Sequence, residues 1–450
     1  MSRLLTNAGL QDNAGLYDQG GIYDFSALSF SGASSFDPLT LDPYLFFDAE
    51  TSMRGTLEAF TLDLDPSKPQ TLDVITATRA GTTATFRNSS GLIQVASPNT
   101  VRVDHVDGVP MILVEPSATN TIRWSEDSTA YNYGSGITFS ASDILAPNGQ
   151  ASSFKMTPDG SDATHRGGSS YSGSYNSNAV VTMSVWLKTD GYDYFLKVGG
   201  FFGSESAVFD SLDGSLKSTE GNVISASSED YGNGWFRYKV TYTFQNQINN
   251  GLLYSGVRLV KRDASNNPVE LFDGTNETTG VLVYGTQFEL GSIATSYIPT
   301  DNDVSGVTRP ADLISIDGTA FTDFFNTGGE GTFYLEVVPT DILKTVRLLT
   351  GHGGSSSELI LYTNNNSAQV QTFDGTNGAN YGPALDSQVN RIGFSYSSTA
   401  MKGSINGGSE HSGNHDGSFS GKTSIKLGKD TPVPLHYKRL IYWPTHSSQL

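Results

Sequence analysis

Sugar rings carry apolar C–H faces that stack on exposed Tyr or Trp, while neighbouring Asn, Asp and Gln satisfy their hydroxyls. Two Tyr-x-Tyr pairs in this sequence have that character: Tyr131 and Tyr133 in AYNYGSG, and Tyr192 and Tyr194 in DGYDYF. In an extended segment the spacing puts both rings of a pair on one face, and the adjoining Gly, Asn and Asp favour loops that would expose them. Packing in a core or across strands is the competing reading. Tyr171, Tyr175 and Tyr381, in Gly-, Ser- and Asn-rich surroundings, are weaker candidates of the same kind. Trp186 and Trp235 lie in strand-like runs and are read as core, whereas Trp443 fits either place.

Other chemistries find less support. Glycoside cleavage needs two carboxylates flanking the bond, and no Glu in the chain has an Asp two residues later. A pair dispersed among the 46 acidic residues stays open. His411 and His415 have the i, i+4 spacing of a metal motif, but Ser412, Gly413 and Gly417 oppose the helix that would make them converge. Asp159-Gly160-Ser161-Asp162 and Asp301-Asn302-Asp303 offer oxygens for Ca²⁺ without the length or terminal carboxylate of a calcium loop, and are read as turns. There is no nucleophile elbow, phosphate-binding loop or dinucleotide fingerprint. No catalytic residue, metal site or cofactor is assigned.

The elements that hold these residues are strands. A length of 450 residues sets a soft expectation of about three domains. The 49 Gly against 6 Met, and the 21 Tyr and 24 Phe against 4 Trp, mark an all-β chain with many turns. Residues 1–70, with NAGL repeated at Asn7 to Leu10 and Asn13 to Leu16 and the aromatic YDQGGIYDF, are read as an extended assembly arm; a disordered tail is the alternative. Residues 71–125 form a β-rich entry region, a meander of LDVITATRA, TATFRN and GLIQVAS, followed by a strand over Val101 and Val103, an Asp107-Gly108 turn and the apolar run Met111 to Val114. Residues 126–300 and 313–450 each break about every 8 to 12 residues, as sandwiches do. Both contain Phe-Asp-Gly-Thr-Asn, at 272–276 and 373–377, which is either an internal repeat or shared turn chemistry. Val281 to Leu290 reads as the last strand of the first block, and residues 301–312, with Gly306 and Pro310, as the linker. The fold expected is two tandem β-sandwiches (jelly rolls) preceded by the arm and the meander.

A net charge of −19 argues against duplex DNA or an anionic membrane surface as partner. The absence of Cys excludes disulfides. No apolar h-region and no 18-residue apolar run are seen, so neither a signal peptide nor a membrane span is expected.

The succession ATRAGTTATFRNSSGLIQVASPNTVRVDH, then PMILVEPSATNTIRWSED, resembles the entry region of a widespread family of bacteriophage virion proteins, tail-fibre or receptor-binding proteins. VVTMSVWLKTD, GNGWFRYKVTYTF and VLVYGTQFELGSIATSYIPT resemble the strands of that family's first module, which is similar to carbohydrate-binding modules. RPAD (Arg309 to Asp312), EGTFYLEVVPT and SIKLGKDTPVPLHYKRLIYWPT resemble its second, concanavalin A-like module, akin to lectin and laminin-G domains. The resemblance spans roughly residues 74 to 450 and speaks to architecture more than to ligand. It implies a virion protein that binds host-surface polysaccharide without catalysis, docks on other virion proteins through its arm, and assembles as a homo-oligomer, preferably a trimer. A head fibre or capsid decoration protein, and a polysaccharide-degrading tail enzyme, are the alternatives.

Overall fold

Side chains branched at Cβ fit a pleated surface better than a helical turn. VVTMSVWLKTD and GVLVYGTQFEL accordingly form strands, Val180–Asp190 and Gly280–Leu290, paired antiparallel with Met183 opposite Phe288 and Leu187 opposite Val283. The computed structural model describes residues 61–447 apart from 82, 129–130, 132, 192, 194, 201–204, 245–246, 276, 301–305, 327–328, 342–343, 354–358, 364–368, 375–377 and 415–420, and describes 170–173, 248–255, 359 and 381–384 by backbone alone. The expected arm lies outside the described residues as far as position 60.

The two strands lie inside a six-stranded sheet ordered Val223–Asp230, Trp235–Thr243, Val180–Asp190, Gly280–Leu290, Phe154–Pro158, Ile137–Ala141. An eight-stranded sheet faces it, built around Phe195–Gly200, Ile248–Arg262 and Asp162–Tyr175. Val181, Met183, Val185 and Leu187 point between the two sheets and pack with Leu196, Phe209 and Val257. The alternate residues Thr182, Ser184 and Trp186 point the other way and are buried as well. Side chains alternate across a strand, so a second layer must cover the outer face of this sheet.

That layer includes a second sandwich. Its eight-stranded sheet runs His411–Asn414, Ala400–Ile405, Asn390–Tyr396, Gly331–Pro339, Leu435–Trp443, Val109–Val114, Arg102–Val106, with Leu62–Leu64 also on Leu435–Trp443. A seven-stranded sheet runs Thr76–Thr78, Leu313–Asp317, Ser424–Leu427, Arg347–His352, Leu359–Thr363, Gln369–Phe373, Gly378–Ala384. Phe333, Leu335, Ile392, Phe394, Ile425 and Leu440 pack between them.

The all-β, two-sandwich expectation holds, but the entry region is not a meander. Among its strands Thr85–Arg87 and Ile93–Val95 pair locally. Leu62–Leu64 instead pairs with Leu435–Trp443, Thr76–Thr78 with Leu313–Asp317, and the hairpin Arg102–Val106/Val109–Val114 extends the carboxy-terminal sheet through Leu113 opposite His436. Unpaired strand edges leave backbone donors and acceptors without partners, and Leu62, Leu64, Ile112 and Val114 find apolar cover in the carboxy-terminal core. The first sandwich is therefore inserted into the second. Its two ends meet where Ala118–Asn120 pairs with Val307–Arg309. Among the described residues no helix is long and apolar enough to cross a membrane.

Candidate functional site

Of the two tyrosine pairs, only the first lies partly among the described residues, and there Tyr131 does not take part in a platform. Tyr131 is 3% exposed, edge-on to Phe139 and Phe154, with its hydroxyl 3.0 Å from Thr286 Oγ1. It is a core residue and has no face left for a sugar. Tyr133, half-buried on the strand Tyr133–Ser135, accepts a hydrogen bond from Arg166 Nη2 at 3.2 Å, and the guanidinium lies 5.4 Å from its ring centroid. Tyr192 and Tyr194 lie outside the described residues; so do the side chains of Tyr171 and Tyr381, whose backbones belong to Asp162–Tyr175 and Gly378–Ala384. Tyr175 packs against Phe244 at 5.2 Å. Trp186, Trp235 and Trp443 are all buried. Exposed His411 sits on the strand His411–Asn414, and His415 and Asp301 to Asp303 lie outside the described residues. Asp159 closes a turn by accepting from the Ser161 amide at 2.9 Å.

What the fold does bring together is charge. Arg79 and Arg102 come from the entry region, Glu115 from the end of its hairpin, and Arg309 and Asp312 from the RPAD segment, and no side chain of the five is more than 2% exposed. Asp312 pairs with Arg79 at 2.8 Å and with Arg102 through its other oxygen. Glu115 pairs with Arg102 at 2.8 Å and accepts from the amide of Ser296 at 2.7 Å and its hydroxyl at 2.6 Å. The Arg309 guanidinium reaches the Pro116 carbonyl at 2.8 Å. Asn120 completes the junction: its amide donates to the carbonyls of Thr286 and Ile298, and its oxygen accepts from the amides of Ile122 and Phe288. Buried charges and amides persist only when paired or hydrogen-bonded in this way. This junction holds the inserted sandwich to its host.

Beside the junction a cleft of about 440 Å³ opens between the two sandwiches. Its floor is the outer face of the six-stranded sheet, where the register places Ser227, Lys239 and Ser184 in one row and Glu229, Arg237 and Trp186 in the next. Its far wall is carboxy-terminal, with Pro339, Thr340 and His436. Four side chains stack in sequence: the Arg87 guanidinium lies 4.6 Å from the Tyr231 ring centroid, Tyr231 meets Trp186 edge-on at 5.4 Å, and Arg237 lies 4.4 Å over Trp186. Such stacking is worth most where water is thin. Glu229 takes Arg87 at 2.7 Å and Lys239 at 3.1 Å, and His436 Nε2 lies 3.1 Å from Asp104 Oδ2.

Burial and ion pairing act in opposite directions on the buried carboxyls. Burial alone would raise the Glu229 carboxyl, but the charges of Lys239, Arg87 and Arg237 outweigh it and hold it at about 2. Glu115 likewise resists burial through Arg309, Arg102 and the Ser296 hydrogen bonds and is held at about 2. Burial does raise Glu289 and Glu126. Glu289 is 1% exposed and bonded to Thr295 and Gln287, and Glu126 accepts from Tyr284 at 3.1 Å. Among the described residues no three His, Asp or Glu side chains gather as a metal site would require.

No family model matches the chain, and no curated protein matches it. Among solved structures it is similar to domains LG4-5 of the mouse laminin alpha1 chain, 11% identical over 74% of this chain and 85% of that one, with a TM-score of 0.20. It is also similar to the tripod (BppUct-A-L) from the baseplate of bacteriophage Tuc2009, 14% identical over 63% of this chain and 98% of that one, with a TM-score of 0.18. A xylan beta-1,4-xylosidase from Bacillus halodurans is 9% identical over 69% of this chain and 76% of that one, with a TM-score of 0.20. Likenesses at this level assign neither ligand nor reaction.

Sequence reasoning passed over the cleft residues, although a signal was present. Ser225, Ser227 and Glu229 recur at every second position, as do Arg237, Lys239 and Thr241. Two adjacent strands with a polar face of this kind read as a solvated surface; only the second sandwich turns that surface into a cleft wall.

Proposed function

We propose that this chain is a bacteriophage virion protein of the tail-fibre or receptor-binding type, which holds host-surface glycans without cleaving them. One observation carries the reading: five charged residues drawn from the separate motifs that resemble such proteins, Arg79, Arg102, Glu115, Arg309 and Asp312, are engaged in one buried junction. Conversion of distant motifs into a rigid joint is what a host-reading head requires, because rigid sandwiches present loop-borne contacts and several copies turn weak sugar contacts into avidity. A trimer, implied by the resemblance, would supply those copies. The amino-terminal arm, expected over residues 1–70, would attach it to other virion proteins. Binding without cleavage agrees with Glu229 being taken up by Arg87 and Lys239 and so not placed as a proton-donating acid in the cleft. Gold-labelled antibody on purified particles and a screen against host glycans test the proposal together. Label at a tail tip with glycan retention is the expected result. Label spread over the capsid lattice would make it a decoration protein, and release of reducing ends would make it an enzyme. Absence from particles would end the proposal.

A further inference from the structure

We propose that the cleft between the sandwiches is the glycan site and that it selects a sugar bearing an anionic group. The inference rests on the glycan-binding reading and adds to it a place and a chemical class. The volume of about 440 Å³ lies within the range of small-molecule sites. Its charge runs against that of the molecule. The chain as a whole carries 27 Lys and Arg against 46 Asp and Glu. Lining the cleft are Arg87, Arg237 and Lys239 against Asp104, Glu115 and Glu229, before His436 is counted; with Glu115 engaged by arginines outside the lining, three cations are left facing two carboxylates. Glu115 is taken up by Arg102 and Arg309, and Glu289, behind the wall, by Thr295 and Gln287. Among the described residues Arg237 donates to neutral oxygens, Ser184 Oγ at 3.0 Å and Thr295 O at 2.7 Å, so its positive charge has no carboxylate in direct contact.

The residues lining the cleft also hold unsatisfied donors. The indole N–H of Trp186, which is fully buried, has no hydrogen-bond partner among the described residues, and the same is true of Nε of Arg87 and of Arg237. A buried donor left unsatisfied is costly, so a ligand group that reached one of them would lift that cost. Tyr231 supplies an aromatic surface for a sugar face, Ser225 and Ser227 supply hydroxyls at the rim, and Lys239 and Arg87 supply the positive field for a carboxylate or phosphate. A neutral sugar would leave the excess cation uncompensated.

Calorimetric titration of the full chain tests this with three probes: a glucuronic-acid-containing disaccharide, the same disaccharide with glucose in that place, and a sugar phosphate. An anionic probe is expected to bind at least about tenfold more tightly than the neutral one, and to weaken with added salt. Two variants locate the site. Lys239→Gln removes a cation, and Ser227→Trp fills the cleft from an exposed rim position; each should weaken the anionic probe about tenfold or more. Ser227→Trp disturbs no ion pair, so it decides the matter should Lys239→Gln fail to fold. Equal affinity for acidic and neutral sugars, or unchanged affinity in Ser227→Trp, would overturn the inference while leaving glycan binding in place. Failure of every host glycan to bind would overturn the functional reading itself.

Discussion

At the scale of single residues, burial separates the two members of a Tyr pair that their spacing made equivalent. Tyr131→Phe removes one buried hydroxyl contact to Thr286 and should lower stability by roughly 1 kcal/mol with no change in glycan affinity; a loss of glycan affinity at unchanged stability would show that Tyr131 is reached by ligand after all. Glu115 sets an acid limit. Its carboxyl stands at about 2 in the folded chain against 4.5 as the reference value. A depressed carboxyl contributes stability that is fully present above its unfolded value and is lost as pH falls toward the folded one. The contribution is on the order of 3 kcal/mol, so urea midpoints should fall between about pH 4.5 and 2. Glu115→Gln should be less stable at neutral pH, because it strips charge from buried Arg102 and Arg309, yet lose less on acidification. Parallel pH curves for the two proteins would count against this account of Glu115.

At the scale of elements, the decisive feature is that chain from both ends builds one sandwich. Residues 313–450 alone would lack Val109–Val114 and Leu62–Leu64, which cover the edge of Leu435–Trp443, and would expose the apolar set around Ile112 and Val114. That fragment is expected to aggregate. A chain of residues 61–120 joined by a short turn to 307–450 should instead fold, since Asn120 and Val307 are already cross-strand partners. Gel filtration and circular dichroism of the two fragments check this. A monomeric, cooperatively melting 313–450 fragment would show that the entry strands are an accessory to the sandwich.

At the scale of the whole molecule, the buried charges make one body of two cores. Removing one partner of such a network strands the others, at about 3–5 kcal/mol. Asp312 accepts from Arg79, from Arg102 and from the Glu115 amide, so Asp312→Ala should both lower stability and uncouple the sandwiches. Calorimetry should record a single unfolding transition for the parent and two for the variant. Two transitions in the parent would mean that the junction positions the sandwiches without coupling them.

The sequence by itself determined the class of fold, because alternation in runs such as VVTMSVWLKTD and FTLDLD, Gly-rich punctuation and the lack of helical periodicity all report on local backbone preference. It also marked Val281 to Leu290 as a strand and RPAD as a special segment. What RPAD does was decided only in three dimensions: Arg309 and Asp312 meet residues some 200 positions away in the chain, Asp312 and Arg79 being separated by 233, and no local pattern encodes a partner at that distance. The insertion of one sandwich into the other was hidden for the same reason, since strand order in a sheet is set by which apolar edges find cover, not by chain order. Tyr131 shows it most plainly: it lies in the Asn- and Gly-rich run AYNYGSG, and it is buried because another layer of the fold closes over it.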